Sequence, residues 1–467
     1  MGFSLLRSII RKLISTCIST KREVEESEEN DDHLLLPAEI IIDILSRLPV
    51  ESVLECGRVC KTWRNHLLAL NDTNYFANMH LRRHGGLLLQ LQQLDDDDQY
   101  HNQSNAAAAA AKVGLILCGK RNLYYGDYDN DDDDENNIHD EKFSNYKMKT
   151  SFTKINHPLF DTEPADIVGS CNGLICLSVR RRRLLGYNNR DLFYICNPIT
   201  REYIYLPGPI MDDDDPENLG IGMLCGFGYL QSTNEYKVVT MYYCRNDTQL
   251  FLGRVEVYTL GDGNGWRNKG EITYSWGPIC FISKGVFANG ALHWLDIKDG
   301  KIIAFDLADE EFHSFPSPPP CDVPFSGVPR RFPQELCVLG GWLCLVHKRE
   351  DACIDIWSIK KTKSISNDDD MKEQEYQSWS WSREFSIRTK GRGNSICQPI
   401  ALAKRGEILM WYNFAYLVAY DPRSTTSEKL GDLGRDLHCC YGRATSHINS
   451  FLSLKALGED AKNFRTS

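Results

Sequence analysis

Gly169-Ser170-Cys171-Asn172-Gly173 has the form of a nucleophile elbow, in which a strained turn lifts the Cys171 thiol out of a strand for attack. An elbow must hand its strand to a helix, whereas Leu174-Ile175-Cys176-Leu177 continues as a strand. Asn172-Gly173 therefore reads as a two-residue hairpin turn, since this dipeptide accepts positive φ at both positions. Asn289-Gly290 repeats it with the same Gly-apolar sequel. The seventeen cysteines contain no CxxC pair, and neither Cys56 with Cys60 nor Cys439-Cys440 has zinc-ligand spacing, so no metal is expected. Their odd number and the lack of a signal peptide predict reduced, buried thiols rather than a disulfide framework. No glycine-rich phosphate loop or triad emerges, which predicts a chain without cofactor or catalytic activity. The one concentrated basic cluster, Arg180 to Arg183, lies between two strand-like runs without interleaved aromatics. It reads as a solvated hairpin loop, and no nucleic-acid partner is expected.

The chemistry that remains is recognition, and its strongest signal is LPAEIIIDILSRLPVESVLECGRVCKTWRNHLL, residues 36 to 68. Pro37 suits a first helical turn, and Leu48-Pro49 ends one helix and opens the next. Between them Ile40, Ile41, Ile44, Leu45 and Leu48 form a wide apolar stripe, and Val59, Cys60, Trp63 and Leu67 mark a third helix. A unit of about 35 residues is too small to hide that much apolar surface. The stripes are thus expected to be half of an intermolecular interface with Trp63 as an anchor. The alternative is a small helical subdomain folded against the rest of the chain. Leu36-Pro37, Ile44-Leu45, Leu48-Pro49, and Val59-Cys60-Lys61 with Trp63-Arg64 together resemble the F-box of cullin-based ubiquitin ligases. The resemblance implies a Skp-type adaptor, and through it a cullin, bound by Leu36, Pro37, Ile40, Ile41, Ile44, Leu45, Leu48, Pro49, Leu54, Val59, Cys60 and Trp63. The chain departs from the pattern at Cys56-Gly57, where Gly57 lowers helix propensity by about 1 kcal/mol.

At 467 residues and 42% hydrophobic composition the chain can hold one small and one large unit. Its formal charge of -11 is concentrated in acidic runs at 95–98, 127–135, 212–215 and 368–370. Those runs hold 18 of the 64 acids, leaving 46 against 53 Lys and Arg. They read as polar insertions around a near-neutral folded surface. The first 30 residues are a tail whose basic, amphipathic start lacks the uncharged core of a membrane span, so no stable membrane insertion is expected. A helical unit over 31–84, a low-complexity linker over 85–112 with six consecutive alanines, a large domain over 113–455 and a tail over 456–467 complete the division.

The large domain is mainly β. The runs LFYIC (192–196), VEVYT (255–259), IIAF (302–305), CIDIW (353–357) and LVAY (417–420) are each followed by a turn, with a mean step of 56 residues. A second series, Gly173, Asn234, Gly290, Gly341 and Gly406, keeps similar step one strand earlier. All-strand repeats of this length read as propeller blades, about six of them. His293-Trp294 and Trp342 start strands and read as core, while Trp379 and Trp381 share a strand face and read as packing between blades. GSCNGLICL (169–177), NPITREYIYLP (197–207), GFGYLQSTNEYKVV (226–239), VYTLGDGNGWR (257–267), NGALHWL (289–295) and IDIWSI (354–359) resemble the kelch-like F-box-associated domain of plant F-box proteins. The two resemblances imply a cytoplasmic or nuclear receptor that presents an unknown target protein for ubiquitylation. Three alternatives stay open: a sequestering protein without ubiquitylation, a pollen-type S-locus recognition protein, and a propeller enzyme or lectin.

Overall fold

The computed structural model describes residues 38–59, 74–84, 113–119, 122–128, 150–155, 165–180, 191–208, 222–245, 251–272, 283–296, 300–316, 318, 334–349, 351, 353–361, 379–388, 397–403, 405–432 and 443–463. Three helices come first: α1 (Ala38–Ser46), α2 (Val50–Val59) and α3 (Tyr75–His84). Leu48-Pro49 separates α1 from α2, and Val53 N donates to Pro49 O at 3.1 Å, so the proline opens the second helix as its missing N–H requires. The second helix runs through Gly57 to Val59, because packing outweighs the propensity lost at one glycine. Most of the helix expected from Val59 to Leu67 lies outside the described residues. The third helix was not announced by apolar periodicity; its last turn is Arg82, Arg83 and His84.

The remaining strands form six sheets, the blades of a propeller. Blade two holds Ala165–Cys171, Leu174–Arg180, Asp191–Asn197 and Glu202–Tyr205; blade three, Gly222–Leu230, Glu235–Arg245, Phe251–Thr259 and Trp266–Ile272. Blade four holds Val286–Ala288, Ala291–Asp296, Lys301–Asp306 and Phe312–Phe315; blade five, Gln334–Leu339, Trp342–Lys348, Cys353–Lys361 and Trp379–Arg388. Blade six holds Cys397–Leu402, Ile408–Tyr412, Tyr416–Asp421 and Thr426–Asp432. The five repeated runs are the third strands of blades two to six, and the second series marks the turns between first and second strands. Two boundaries move: the third strand of blade five continues past Ser358 to Lys361 through a bulge at Ile356/Trp357, and Asp127 belongs to a strand rather than an insertion.

Blade one, Val113–Cys118, Leu123–Tyr128 and Thr150–Ile155, has only three strands from the start of the domain. Its innermost strand is Arg443–His447, which pairs antiparallel with Val113–Cys118 from Gly114↔His447 to Cys118↔Arg443. The ring is thereby closed by its last blade-length strand, which leaves no unpaired seam. Two short additions follow. Ser283–Lys284 pairs parallel inside blade three with Leu224 and Cys225, and Lys462–Asn463 adds to the outer edge of blade two. Residues 456–463, expected as a tail, are instead part of the packed structure, with Ala461 buried.

Each junction between neighbouring blades holds one apolar layer. Leu174 and Cys176 face the junction of blades two and three, while Ile175, Leu177 and Val179 on the same strand face blade one. Both faces are covered, which is why these strands read as nearly continuous apolar runs. The layer between blades two and three also contains Ile41, Leu45, Leu48, Val53 and Phe76 from the helices.

Candidate docking surfaces

The helical unit is organised around the end of α1, where the carbonyls of a last helical turn run out of following backbone N–H donors. Helix α3 supplies them. Arg83 Nη1 donates to Asp43 O at 3.0 Å, His84 Nε2 to Ser46 O at 3.1 Å and His80 Nε2 to Leu48 O at 2.8 Å. Arg83 Nη2 also meets the Asp43 carboxylate at 2.7 Å. These three side chains stand at i, i+3 and i+4, one face of α3, and the Arg83 guanidinium also complements the negative end of the α1 dipole. Burial pushes His80 down to about 4 and lowers His84 as well. Sequence reasoning did not single out this triplet, although its helical spacing was visible.

The wide stripe of α1 splits. Ile41, Leu45 and Leu48 point inward and are buried, Leu45 completely, together with Val50, Val53 and Cys56. Ile40 is 46% exposed, Leu54 on α2 is 43% exposed, and Ile44 and Pro49 are half-buried. The expectation that all these groups await an outside protein is therefore corrected for Ile41, Leu45 and Leu48: the chain itself covers them, because its own carboxyl-terminal segment brings Phe451, Leu452 and Leu454 into the same core. Leu36, Pro37, Cys60, Trp63 and the side chain of Val59 lie outside the described residues.

The seat of the helices is one end of the propeller. Asn449 Nδ2 donates to Glu51 Oε1 at 3.0 Å, and Asn74 and Ser453 exchange two hydrogen bonds of 3.1 and 2.7 Å. The same segment is held to blade two by Ser450 Oγ donating to Asn172 O and by Asn197 Nδ2 donating to Ser450 O and Leu452 O. Gly261 N in blade three donates to Glu459 Oε1 at 2.8 Å. Asn172, Asn197 and Gly261 all lie in turns joining first to second or third to fourth strands, which emerge at a single end. The opposite end carries the connections from second to third strands and from blade to blade. There Asp166 is paired with Lys284 and with Arg443 Nε at 3.7 Å, tying three inner strands together.

The remaining singled-out residues fall in packed positions. Asn172 and Gly173 have φ of 49° and 89°, the conformation of a tight hairpin turn, and Cys171 before them is buried with its thiol pushed up to about 12 by burial. That environment disfavours the thiolate a nucleophile needs. The ten cysteines whose side chains are described are free thiols, and all but Cys353 are buried. Trp294 and His293 are buried; Trp294 Nε1 donates to Cys225 O at 3.3 Å across a junction. Trp342 is half-buried beside the junction of blades five and six. Trp379 and Trp381 are half-buried against the layer between blades four and five. Arg181 to Arg183 and the side chain of Arg180 lie outside the described residues. Among the described residues no three His, Cys, Asp or Glu groups could hold a metal ion together, and no helix is long and apolar enough to cross a membrane.

Six blades in a ring with a helical unit seated on one end define a β-propeller protein with an amino-terminal helical unit. Residues 127–430 match the F-box associated beta propeller domain, so the chain belongs to that family, and residues 33–70 match the F-box-like model. Among curated relatives from Arabidopsis thaliana, F-box protein At3g07870 is 28% identical over 83% of this chain and 85% of its own length. F-box protein CPR1 is 26% identical over 83% and 82%. F-box/kelch-repeat protein At3g23880 is 24% identical over 75% and 79%.

Proposed function

We propose that this F-box protein is the substrate-recognition subunit of an SCF-type ubiquitin ligase. Its helical unit docks a Skp-type adaptor, which brings a cullin, and its propeller holds a target protein. The observation that carries the reading is the split stripe: after the chain has covered Ile41, Leu45 and Leu48, Ile40 and Leu54 still present large apolar side chains to solvent on an F-box-like unit. With them, Ile44, Pro49, Leu36, Pro37, Val59, Cys60 and Trp63 complete the proposed adaptor contact. The receptor supplies no acid, base or nucleophile; it accelerates transfer by raising the effective concentration of target lysines near the charged conjugating enzyme. The target binds the propeller end remote from the helices, where function-bearing connections have a rigid scaffold beneath them. The protein acts in the cytoplasm or nucleus, which a fluorescent fusion of the full chain tests.

Ile40→Asp with Leu54→Asp is expected to reduce adaptor capture by about tenfold or more while the unfolding transition stays near that of the native chain. Leu45→Asp is expected to fail differently, by unfolding the helical unit, because it buries an unpaired carboxylate. Undiminished capture by the Ile40/Leu54 double variant would defeat the assigned surface. Adaptor capture without cullin recruitment in a reconstituted mixture would leave a sequestering protein instead.

A further inference from the structure

We infer that the segment 449–454 is a positioning strap: it locks the F-box and the propeller into one rigid body, so that the adaptor-facing helices and the remote propeller end keep a fixed distance and angle. Asn449-Ser450-Phe451-Leu452-Ser453-Leu454 runs between the two units and contacts both. Asn449, Phe451 and the Ser453 backbone reach the helices. Asn449 meets Glu51, the Phe451 ring lies 5.4 Å from both Phe76 and His80, and the Ser453 backbone exchanges two hydrogen bonds with the Asn74 side chain. The same run is fixed to the propeller, with Ser453 Oγ donating to Glu202 Oε1 at 3.0 Å. Ser450 bonds Asn172, Leu452 and Leu454 are fully buried, and Leu454 N donates to Glu202 Oε2 at 2.6 Å.

The covalent connection between the units, residues 85–112, is low in complexity and contains six consecutive alanines. Among the described residues, the strap bonds both units and so sets their orientation. Asn74 is the key side chain on the helical side. Its φ of 52° lies in the left-handed region that asparagine tolerates, and there its amide pairs with Ser453 as another strand would. Units joined only by a linker are expected to move relative to one another; an apolar seam with hydrogen bonds to both units removes that freedom. The rigid coupling stands on these contacts alone, and only its consequence, a fixed reach for ubiquitin transfer, rests on the receptor reading.

The test is electron–electron double resonance on the full chain, with nitroxides carried by ketone-bearing residues at exposed Glu55 on α2 and Ser427 on blade six. This labelling avoids the native thiols. The native chain is expected to give one narrow distance distribution. Asn74→Gly keeps the left-handed backbone and deletes the amide, and Phe451→Ala empties the seam; each is expected to broaden the distribution about twofold or more, with Phe451→Tyr restoring it. Circular dichroism melting reports whether each variant keeps its folded propeller; Asn74→Gly leaves the apolar core intact and decides the matter if Phe451→Ala unfolds. A broad distribution in the native chain, or unchanged width in Asn74→Gly, overturns the strap. Loss of adaptor capture in the native chain would instead refute the receptor reading and leave the coupling untouched.

Discussion

The two Asn-Gly turns show how far a residue's neighbours can be from its sequence signal. Asn172-Gly173 and Asn289-Gly290 have nearly the same backbone, with positive φ at all four positions. Their surroundings differ. A Cβ added at Gly290 meets nothing within 4 Å, whereas one added at Gly173 runs into Ser450, coming within 2.7 Å of its Cβ. Ser450 is buried, and Asn197 holds its carbonyl, so it has little room to yield. Gly290→Ala is expected to cost about 1 kcal/mol, the strain of a left-handed alanine, and Gly173→Ala about 3 kcal/mol or more. Urea unfolding of the two full-length variants checks this; equal losses would contradict the close contact. The turn and the inert role of Cys171 were legible in the sequence, since a dipeptide sets them. The demand placed on Gly173 was not, because it comes from a residue near the other end of the chain.

Among the elements, the outer strands of neighbouring blades are joined by a repeated device. Trp266 Nε1, on the fourth strand of blade three, donates to Pro207 O at 2.6 Å, just past the fourth strand of blade two. Trp381 Nε1, on the fourth strand of blade five, donates to Pro316 O at 3.0 Å, just past the fourth strand of blade four. Replacing either indole with phenylalanine keeps most of the apolar packing and leaves a carbonyl unmatched. Trp266→Phe and Trp381→Phe are each expected to lower unfolding free energy by about 1–2 kcal/mol, read as a reduced urea midpoint at unchanged slope. Period-two alternation placed Trp379 and Trp381 on one strand face, packed between blades, and the structure agrees. It could not choose the prolyl carbonyl, which belongs to the neighbouring blade. Between blades three and four the join is ionic: Glu310 receives Arg267 at 2.6 Å, Lys269 at 2.9 Å and Lys237 at 3.0 Å. Burial raises the Glu310 carboxyl, but those donors outweigh it and hold it at about 2.

Across the whole molecule, acid is the condition that finds its weakness. Burial pushes His80 and His293 down to about 4 and His447 to about 3. Once unfolded, histidines take up protons near pH 6.5, so below that value the unfolded chain binds more protons than the folded one. The stability these groups contribute is complete above about pH 6.5 and is lost as pH falls toward 4, approaching about 1.4 kcal/mol per pH unit per histidine. Urea midpoints at about pH 7.5, 6 and 5 are expected to fall in that order; a level series would contradict neutral, buried rings. One of these rings lies in the helical unit, one in blade four and one on the closing strand, so the loss is spread over the molecule. The amino-acid sequence by itself determined the strands, their repeat of about 56 residues, the tight turns and the helices on either side of Leu48-Pro49, because each follows from local spacing of apolar, glycine and proline residues. Only the tertiary structure decided which half of the α1 stripe stays exposed, that Arg443–His447 closes the ring, and that residues 449–454 contact both the helices and the propeller. Those outcomes depend on contacts between distant parts of the chain, and local periodicity carries no information about which distant surface will cover an apolar face.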